Sequence, residues 1–503
     1  MTHEPGQENV RISRRDILRT VLLGSFVGPQ WADADAAIKP HAITEDFSVC
    51  HRVRDGVNFN IPKPSRRCDV VVIGGGPSGL IAAYRLRDRD LLMLEKEAVV
   101  GGNARADYWR GEPYAAGSHA FYGASPAAPL YEELGLQPVK LDMHRALIVD
   151  GELIDDLWGA GLGRLYSKSE EKQVRAARAG LLAVDAQKAK NALDNVLFSS
   201  VLQPYGTAAK TCFDRLLRYF ATDSETCSGY GGLLFARALM GEGFGPLYPE
   251  GRAAGGVFTF VGGLSAAALA LAGKIDAAGE GRVVTQATVY RIAQDERGVD
   301  VSYMRGREQV TVRANSVIVA APKFIARYMV KNLPADQEIA MGRMLYAPYL
   351  VGTVGFDGVI ASQLKAASVV GGPISSFIEV SPAPGRQLFR IEMPVLPQLR
   401  HQLLSESYSS SLAEAIGDFF ENLFPGARRR IDEIRIWRRG HNWFIPVPAM
   451  VTGFQQIAAR TFGRIHFANA DSAGPISDFG WAMQAADTAV AKVAGVAEQQ
   501  FSS

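Results

Sequence analysis

The 503-residue sequence has only four cysteines, and no two of them form a C-x-x-C motif. So few cysteines exclude a disulfide scaffold, and the missing motif argues against structural zinc, so we expect no metal site. An excess of one charge is also lacking, because 54 Lys and Arg face 52 Asp and Glu, a net charge of +2. That balance leaves no electrostatic footprint for nucleic acid.

Long hydrophobic runs are absent as well. Hydrophobic residues make up 47% of the chain, yet no stretch reaches the roughly 20 apolar residues that span a bilayer. No Ser-His-Asp or Cys-His set stands out either. The sequence therefore predicts a globular, mostly soluble protein with no stable membrane span.

The N-terminus has the order of an export signal. Residues 13–19 read SRRDILR, residues 20–27 are mostly apolar, and residues 32–36 contain two overlapping A-x-A sites. This order is typical of a twin-arginine signal peptide with a cleavage site. We expect residues 1–36 to engage the twin-arginine export machinery and the mature protein to be periplasmic. Because this route carries folded proteins, a cofactor loaded before export is also expected.

The strongest chemical signal is one βαβ unit. An apolar run at 69–73 predicts a buried parallel strand, residues 80–86 predict a helix, and 91–94 predict a second strand. The turn between the first strand and the helix fits G-x-G-x-x-G, which holds a dinucleotide pyrophosphate against a helix N-terminus. The predicted cofactor-binding residues of this turn are Gly74, Gly76, Pro77, Ser78 and Gly79.

Glu95 ends the second strand, 21 residues after Gly74. That spacing suits an acid on the ribose hydroxyls, and its charge disfavours the 2′-phosphate of NADP. Lys96 follows directly and is included in the predicted cofactor site. These residues indicate an adenine dinucleotide but do not choose between FAD and NAD.

The next residues resemble the FAD-dependent amine oxidase and phytoene desaturase superfamily. Residues 99–105 read VVGGNAR, and residues 115–119 read AAGSH. The resemblance implies FAD, with Gly101 and Gly102 along the pyrophosphate and ribityl chain. It also places Gly117, Ser118 and His119 at the isoalloxazine ring. The family's usual Arg is replaced by Asn103, with a basic residue two positions on at Arg105, and both residues are included in the predicted cofactor site.

Later blocks extend the resemblance. Residues 282–292, 298–301 and 316–322 follow the family's order of strand, hairpin and return strand, and the alternation from 299 to 312 predicts half-buried antiparallel strands. By resemblance, the backbone of Val289 meets the adenine. Asp471, in the closing block 464–473, contacts the ribityl and phosphate region, and a helix follows at 480–493.

The implied fold class is α/β, with a glutathione-reductase-like (Rossmann) FAD-binding domain and an α+β substrate domain built from insertions. The branch that looks most similar is the exported bacterial spermidine dehydrogenases. After the signal, the predicted segments are an N-terminal extension (37–66), FAD-binding segment I (67–125), a helical substrate or cap region (126–250), FAD-binding segment II (251–330), a substrate-domain sheet (331–440), FAD-binding segment III (441–495) and a tail (496–503).

Two residues that the family often uses in its active site are missing from this sequence. No Lys lies in 345–356, and Ser477 and Asp478 stand where a Tyr is usual. Six residues are candidates for an aromatic pocket instead: Tyr122, His119, Trp443, Phe444, Phe479 and Trp481. Of these, His119 and Trp481 are the catalytic candidates, since a neutral His119 imidazole could accept a proton from a substrate ammonium.

The function expected from the resemblance is oxidation of an amine, with a polyamine such as spermidine favoured. Hydride would pass to the flavin and the imine would then hydrolyse, while the electron acceptor stays unknown. Two alternatives remain open: an FAD-dependent isoprenoid or lipid desaturase, and a non-catalytic flavin-binding partner protein.

Overall fold

A computed structural model describes residues 38–123, 125–141, 146–242, 257–361, 363–380 and 385–501. The expected signal at 1–36 lies outside these residues. The strands, in chain order, are β1 (His41–Thr44), β2 (Arg66–Ile73), β3 (Leu91–Leu94), β4 (Ala106–Trp109), β5 (Glu112–Ala115), β6 (Phe121–Tyr122), β7 (Val139–Lys140), β8 (Ala146–Val149), β9 (Glu152–Ile154), β10 (Val257–Thr259), β11 (Val283–Val284), β12 (Ala287–Asp295), β13 (Gly298–Arg305), β14 (Glu308–Val319), β15 (Leu345–Ala347), β16 (Tyr349–Phe356), β17 (Ala366–Val370), β18 (Ser376–Glu379), β19 (Gln387–Pro394), β20 (Ile431–Arg438), β21 (Trp443–Ile445) and β22 (Ile465–Phe467).

The α-helices lie between and after these strands. They are α1 (Ser48–Arg54), α2 (Pro77–Arg85), α3 (Ala128–Glu133), α4 (Leu162–Leu165), α5 (Lys168–Ala183), α6 (Ala186–Asp194), α7 (Phe198–Leu202), α8 (Thr207–Leu217), α9 (Gly229–Arg237), α10 (Ser265–Ala277), α11 (Lys323–Met329), α12 (Ala335–Gly342), α13 (Glu406–Leu423), α14 (Gln455–Ala458) and α15 (Phe479–Phe501).

A seven-stranded sheet forms the cofactor-domain architecture. β11, β3, β2, β14 and β22 pair in parallel, whereas β12, β13 and the first half of β14 form an antiparallel meander. This is the three-stranded insertion that the alternation predicts. The predicted first strand begins earlier than expected, at Arg66, and the helix begins at Pro77, where the fixed φ of proline suits a first helical turn.

Strand β2 shows why the sheet is buried on both faces. Val70 and Val72 pack into one hydrophobic cluster with α2, α10 and α15, while Val71 and Ile73 pack into another cluster on the opposite face. Successive side chains of a strand point to opposite faces. A continuous apolar run is therefore what this position requires.

An eight-stranded sheet forms the second layer, in the order β1-β20-β16-β19-β18-β17-β8-β9. Most of these strands come from the predicted substrate-domain sheet. β8 and β9, however, come from the region expected to be helical, and β1 comes from the N-terminal extension and pairs in parallel with β20. The helices α4 to α9 lie within the predicted cap region. The arrangement agrees with a Rossmann domain carrying an inserted α+β domain.

All four cysteines lie in the described part of the chain, where each is buried and free: Cys50, Cys68, Cys212 and Cys227. Burial raises the pKa of Cys50 to about 11 and of Cys68 to about 12. These thiols are thus core residues. Within the same described ranges, no helix is both long and apolar enough to cross a membrane.

Candidate active site

A cavity of about 760 Å³ extends from the glycine turn after β2 to the eight-stranded sheet. Its volume lies in the range of about 300–1,000 Å³ common for ligand pockets. Two parts of its lining differ in chemistry. We call the part lined by Gly74, Gly76, Glu95, Gly102 and Val289 the dinucleotide half, and the part lined by Tyr349, Glu392, Trp443, Phe444 and Phe479 the aromatic half.

The first glycine turn brings the start of α2 to the cavity. A Cβ added at Gly79 would lie 1.8 Å from the carbonyl oxygen of Gly74, so only glycine permits this close contact between helix and turn. The N-cap is Gly76, which provides no capping side chain. The first N–H groups of a helix lack partners within the helix, and here Gly76, Pro77 and Ser78 line the cavity. The turn is therefore shaped to receive phosphate.

Glu95 lies at the end of β3 and lines the cavity while only 7% exposed. Its carboxylate accepts hydrogen bonds from the backbone N–H groups of Gly75, at 2.5 Å, and of Glu97, at 2.8 Å. Burial raises the pKa of Glu95, although these two bonds oppose the rise. The carboxylate is thus fixed beside the glycine turn, where an acid could bind ribose hydroxyls.

Lys96 and the N-terminal extension close the same side of the cavity. The Lys96 ammonium lies 3.5 Å from the Glu45 carboxylate and 4.2 Å from the centre of the Phe47 ring. Burial disfavours the charged ammonium, but Glu45 and Glu97 outweigh it and raise the pKa of Lys96. Glu45, Phe47 and Cys50 all line the cavity. Sequence reasoning assigned no role to this extension.

The second glycine pair lies against the first turn. A Cβ added at Gly102, whose φ is +51°, would lie 2.9 Å from Cα of Gly76. The Asn103 side chain donates to the carbonyl of Asn442 at 3.0 Å, and its own carbonyl accepts from the N–H of Ser118 at 2.6 Å. Gly101 and Gly79 shape these turns but do not line the cavity. The residues of this region that do are Gly102, Asn103, Gly117, Ser118 and His119.

Val289 lines the far side of the dinucleotide half and is 4% exposed. The pairing of β12 with β13 shifts register between Val289 and Arg291, so Tyr290 forms a bulge. A bulge disrupts the regular ladder of backbone hydrogen bonds next to it. The backbone contact of Val289 with adenine stays a prediction that this local geometry accommodates.

Arg105, predicted as a cofactor-binding residue, is not among the residues that line the cavity. Its guanidinium lies 4.4 Å from the centre of the Trp437 ring and 3.8 Å from the Glu97 carboxylate, and the residue is 6% exposed. Stacking on the indole and attraction to Glu97 hold the Arg105 side chain outside the cavity lining. A different arginine, Arg439, lines the cavity, although nothing in its local sequence distinguishes it from Arg438.

Asp471, predicted to contact the ribityl and phosphate region, is not among the residues that line the cavity. The carboxylate is fully buried, lies 2.6 Å from the Lys323 ammonium and accepts a hydrogen bond from Tyr346. An unpaired buried charge is costly, so Asp471 turns toward this cation and away from the cavity. The neighbouring Asn469 and Ala470 line the cavity instead.

Four of the six pocket candidates line the cavity: Trp443, Phe444 and Phe479 in the aromatic half, and His119 in the 117–119 turn. The ring centres of Tyr349 and Trp443 lie 5.8 Å apart, with a tilt of 33° between the planes. Trp443 also lies 6.1 Å from the Phe220 ring. These rings form apolar walls that suit a substrate positioned against a planar cofactor.

Trp481, predicted as catalytic, does not line the cavity. Residues 479 and 482 of α15 do, and at 100° per residue position 481 points away from position 479. The Trp481 indole packs on Gly474, where an added Cβ would lie 2.2 Å from the ring. Trp481 is thus a packing residue. The side chain of Tyr122 lies outside the described residues.

A polar cluster lies on the sheet face of the aromatic half. Glu392 accepts hydrogen bonds from Ser376 at 2.8 Å, Tyr349 at 3.1 Å and Arg390 at 2.7 Å. Arg390 also donates to the carbonyl of Gly117 at 2.6 Å. Burial and the nearby Glu392 charge raise the pKa of Tyr349, so its hydroxyl stays protonated. The cluster therefore fixes one aromatic wall relative to the 117–119 turn.

Comparison with known proteins agrees with this arrangement. The family model described as flavin containing amine oxidoreductase matches residues 77–494. A solved putrescine oxidase variant is 16% identical with a TM-score of 0.67, covering 87% of this chain and 100% of that one. Cyclohexylamine oxidase from Brevibacterium oxydans is also 16% identical, with a TM-score of 0.66 and coverages of 86% and 99%. These structural likenesses confirm the predicted fold class.

Curated relatives match only in short stretches. Polyamine oxidase 2 of Arabidopsis thaliana is 32% identical over 94 residues, which is 18% of this chain and 19% of the relative. The 15-cis-phytoene desaturase of Narcissus pseudonarcissus is 38% identical over 81 residues, 15% of this chain and 14% of that protein. The chain thus spans less than a fifth of the length of these relatives.

Proposed function

Because the chain belongs to the family of flavin containing amine oxidoreductases, we propose that it is an FAD-dependent amine oxidase or dehydrogenase that favours a polyamine such as spermidine. The observation that carries the proposal is one cavity whose dinucleotide half continues into an aromatic half with carboxylates in its lining. The dinucleotide half holds the cofactor in this proposal, and the aromatic half receives the amine.

The residues present fit FAD. The Gly79 and Gly102 positions leave room for close backbone approach, Glu95 is fixed for ribose, and the buried Arg439 guanidinium has no hydrogen-bond partner among the described residues. Held by these residues, FAD would supply the hydride acceptor that oxidation of an amine needs. The chain itself supplies the cradle, the orientation and the aromatic walls of the cavity.

The chain's own groups prepare the substrate. The Tyr349 and Trp443 rings hold the reacting carbon and exclude water, and the Glu392 cluster fixes Tyr349. The deprotonated amine is the reactive form, because its lone pair assists hydride loss. His119 lines the cavity at the turn next to Asn103 and is our candidate for taking the proton from a substrate ammonium.

Carboxylates support a substrate with more than one positive charge. Asp155, Asp156, Glu392 and Asp478 line the cavity, and the first two are exposed. A polyamine keeps a distal ammonium when its reacting nitrogen is neutral, and nearby carboxylates attract such a charge. Asp155→Asn should raise KM for spermidine more than KM for a monoamine. The matched control is Asp88→Asn, an exposed acid away from the cavity.

The decisive experiment is anaerobic. The purified protein is mixed with single polyamines and monoamines while the flavin absorbance is followed. Rapid bleaching by an amine, with release of an aldehyde and a smaller amine after hydrolysis, supports the proposal. A bound flavin that dithionite reduces but no amine reduces overturns it.

A lipid or isoprenoid desaturase is the second candidate, favoured by the apolar helical side of the cavity. Leu157, Leu216, Leu239 and Met240 line this side. Flavin reduction by an isoprenoid and not by amines would select this candidate. If neither amines nor isoprenoids reduce the flavin, the alternative that remains is a non-catalytic flavin-binding partner protein.

We also propose that residues 1–36 direct export of the folded protein to the periplasm by the twin-arginine machinery. The support is the SRRDILR sequence at 13–19 with the apolar and A-x-A stretches after it. Replacing Arg14 and Arg15 together by Lys should retain the protein in the cytoplasm. Arg19→Lys is the control, and export of the double variant at the normal level would contradict the proposal.

A further inference from the structure

Three arginines are buried around the cavity, and their partners differ. Arg105 stacks on Trp437 near Glu97. Arg390 donates to Glu392 and to the carbonyl of Gly117. Arg439 is 2% exposed and lines the cavity, yet none of its three guanidinium nitrogens has a hydrogen-bond partner among the described residues.

The Arg439 side chain therefore has donors without acceptors. Its nearest carboxylate, Glu45, lies 3.7 Å from Nε, beyond hydrogen-bond distance. Burial lowers the pKa of Arg439 to about 10, and the neighbouring Arg105 and Arg390 charges contribute to the lowering. The guanidinium still carries its charge at neutral pH. Glu45 partly compensates this charge, but the unused donors remain available for an anion that arrives with a ligand.

Contacts on two sides locate Arg439 along the cavity. Glu45 lies within 3.7 Å of Arg439 and within 3.5 Å of Lys96, which follows the ribose acid Glu95. On the other side, a Cβ added at Gly117, in the turn expected at the flavin ring, would lie 2.7 Å from Nη1 of Arg439. The guanidinium thus lies between the ribose side and the flavin side of the dinucleotide half. The middle of FAD is its pyrophosphate.

We propose that Arg439 binds the pyrophosphate of FAD and supplies the positive charge that Asn103 cannot. The amide of Asn103 is engaged with the carbonyl of Asn442, and Arg105 is held behind the cavity wall. A guanidinium presents several N–H donors in a planar fork that matches phosphate oxygens. The assignment provides phosphate oxygens as acceptors for the unused donors of Arg439.

The test compares ligands with and without the pyrophosphate. The full chain is stripped of flavin, and binding of ADP and of adenosine is measured by calorimetry for the wild type, Arg439→Met, Arg439→Lys and the neighbouring control Arg438→Met. Loss of charge-assisted hydrogen bonds should weaken ADP binding about 10- to 100-fold in Arg439→Met. Adenosine binding should be unchanged, and Arg438→Met should bind both ligands normally.

A second readout uses the holoenzyme. FAD release, followed by flavin fluorescence after dilution, should be fastest in Arg439→Met and intermediate in Arg439→Lys, which keeps the charge but not the fork. If Arg439→Met does not fold, a selective loss of ADP affinity in Arg439→Lys carries the test. Equal ADP binding in the wild type and the folded variants overturns the proposal. An effect on amine KM without an effect on ADP also overturns it, assigning Arg439 to the substrate.

The ADP measurement involves no substrate. Its outcome is therefore independent of whether the protein oxidises amines, and failure of one proposal leaves the other standing.

Discussion

The Lys323 ammonium lies 2.6 Å from the Asp471 carboxylate, and both side chains are fully buried. Lys323 begins α11 directly after β14, and Asp471 follows β22, so the pair joins the ends of two adjacent parallel strands. The Tyr346 hydroxyl and the Ser472 hydroxyl complete the network. Asp471 therefore stabilises the wall of the cavity that the neighbouring Asn469 and Ala470 line.

This pair predicts a large loss of stability when one partner is removed. Lys323→Met leaves a buried carboxylate without its cation and should lower the free energy of unfolding by about 3–5 kcal/mol. The control is Lys365→Met, because Lys365 is 64% exposed in its pair with Glu379 and exposed pairs contribute about 0–1 kcal/mol. Urea unfolding followed by circular dichroism measures both. Equal losses in the two variants would contradict the prediction.

Gly79 predicts a steric test of the cofactor turn. Gly79→Ala places a methyl group 1.8 Å from the Gly74 carbonyl oxygen, so the turn or α2 must shift. We expect the variant to be purified with much less FAD, measured as the ratio of flavin to protein absorbance. Gly273→Ala is the matched control, since this helical glycine has nothing within 4 Å of an added Cβ. It should retain FAD and gain about 0.5–1 kcal/mol of stability.

The aromatic half predicts different effects for two tryptophans. Trp443→Leu removes the ring that faces Tyr349 and should lower kcat/KM for the best amine about 3- to 10-fold. Trp481→Leu should lower thermal stability but leave kcat/KM nearly unchanged, because its indole packs on Gly474 outside the cavity. Steady-state kinetics and thermal melts on both variants separate the effects. A larger kinetic loss in Trp481→Leu would return that residue to the catalytic set.

Local patterns explain which parts could be predicted from the sequence. Three local patterns lie within 30 residues: the strand before Gly74, the turn to Gly79 and the acid at Glu95. The apolar run indicates a buried strand, the glycine spacing indicates a phosphate-binding turn, and the acid indicates a ribose contact. The β12–β13–β14 meander was likewise predictable from alternation. These elements need no distant contact to define them.

Contacts between distant residues explain what could not be predicted. Glu45 and Arg439 form an ion pair although they are 439 − 45, or 394, residues apart. The sequence 437–439 does not show which of its two adjacent arginines is buried. The pairing of Asp471 with Lys323 could not be predicted either, because the two residues are 148 positions apart in the sequence. The position of Trp481 outside the cavity lining could not be predicted, because the sequence of an aromatic-rich helix start does not show which side of the helix faces the cavity.

His466 predicts how stability depends on pH. This residue lies in β22 and is 0% exposed, and burial lowers its pKa to about 4. Its Nδ1 lies 3.3 Å from the Thr461 hydroxyl, whereas Nε2 has no hydrogen-bond partner among the described residues. The unfolded chain has the ordinary histidine pKa of about 6.5. Below that pH the unfolded state binds more protons than the folded state.

This difference in bound protons determines whether stability rises or falls with pH. Stability from keeping His466 neutral is present above pH 6.5 and is lost as the pH falls toward 4. At pH 5 the expected loss is about 2 kcal/mol relative to pH 7.5. His466→Leu should remove that part of the pH dependence, while His401→Leu at an exposed site should not. Urea unfolding at the two pH values provides the measurement. If His466→Leu and the wild type lose equal stability between them, then other groups, such as His441, whose pKa burial also lowers to about 4, govern the acid sensitivity.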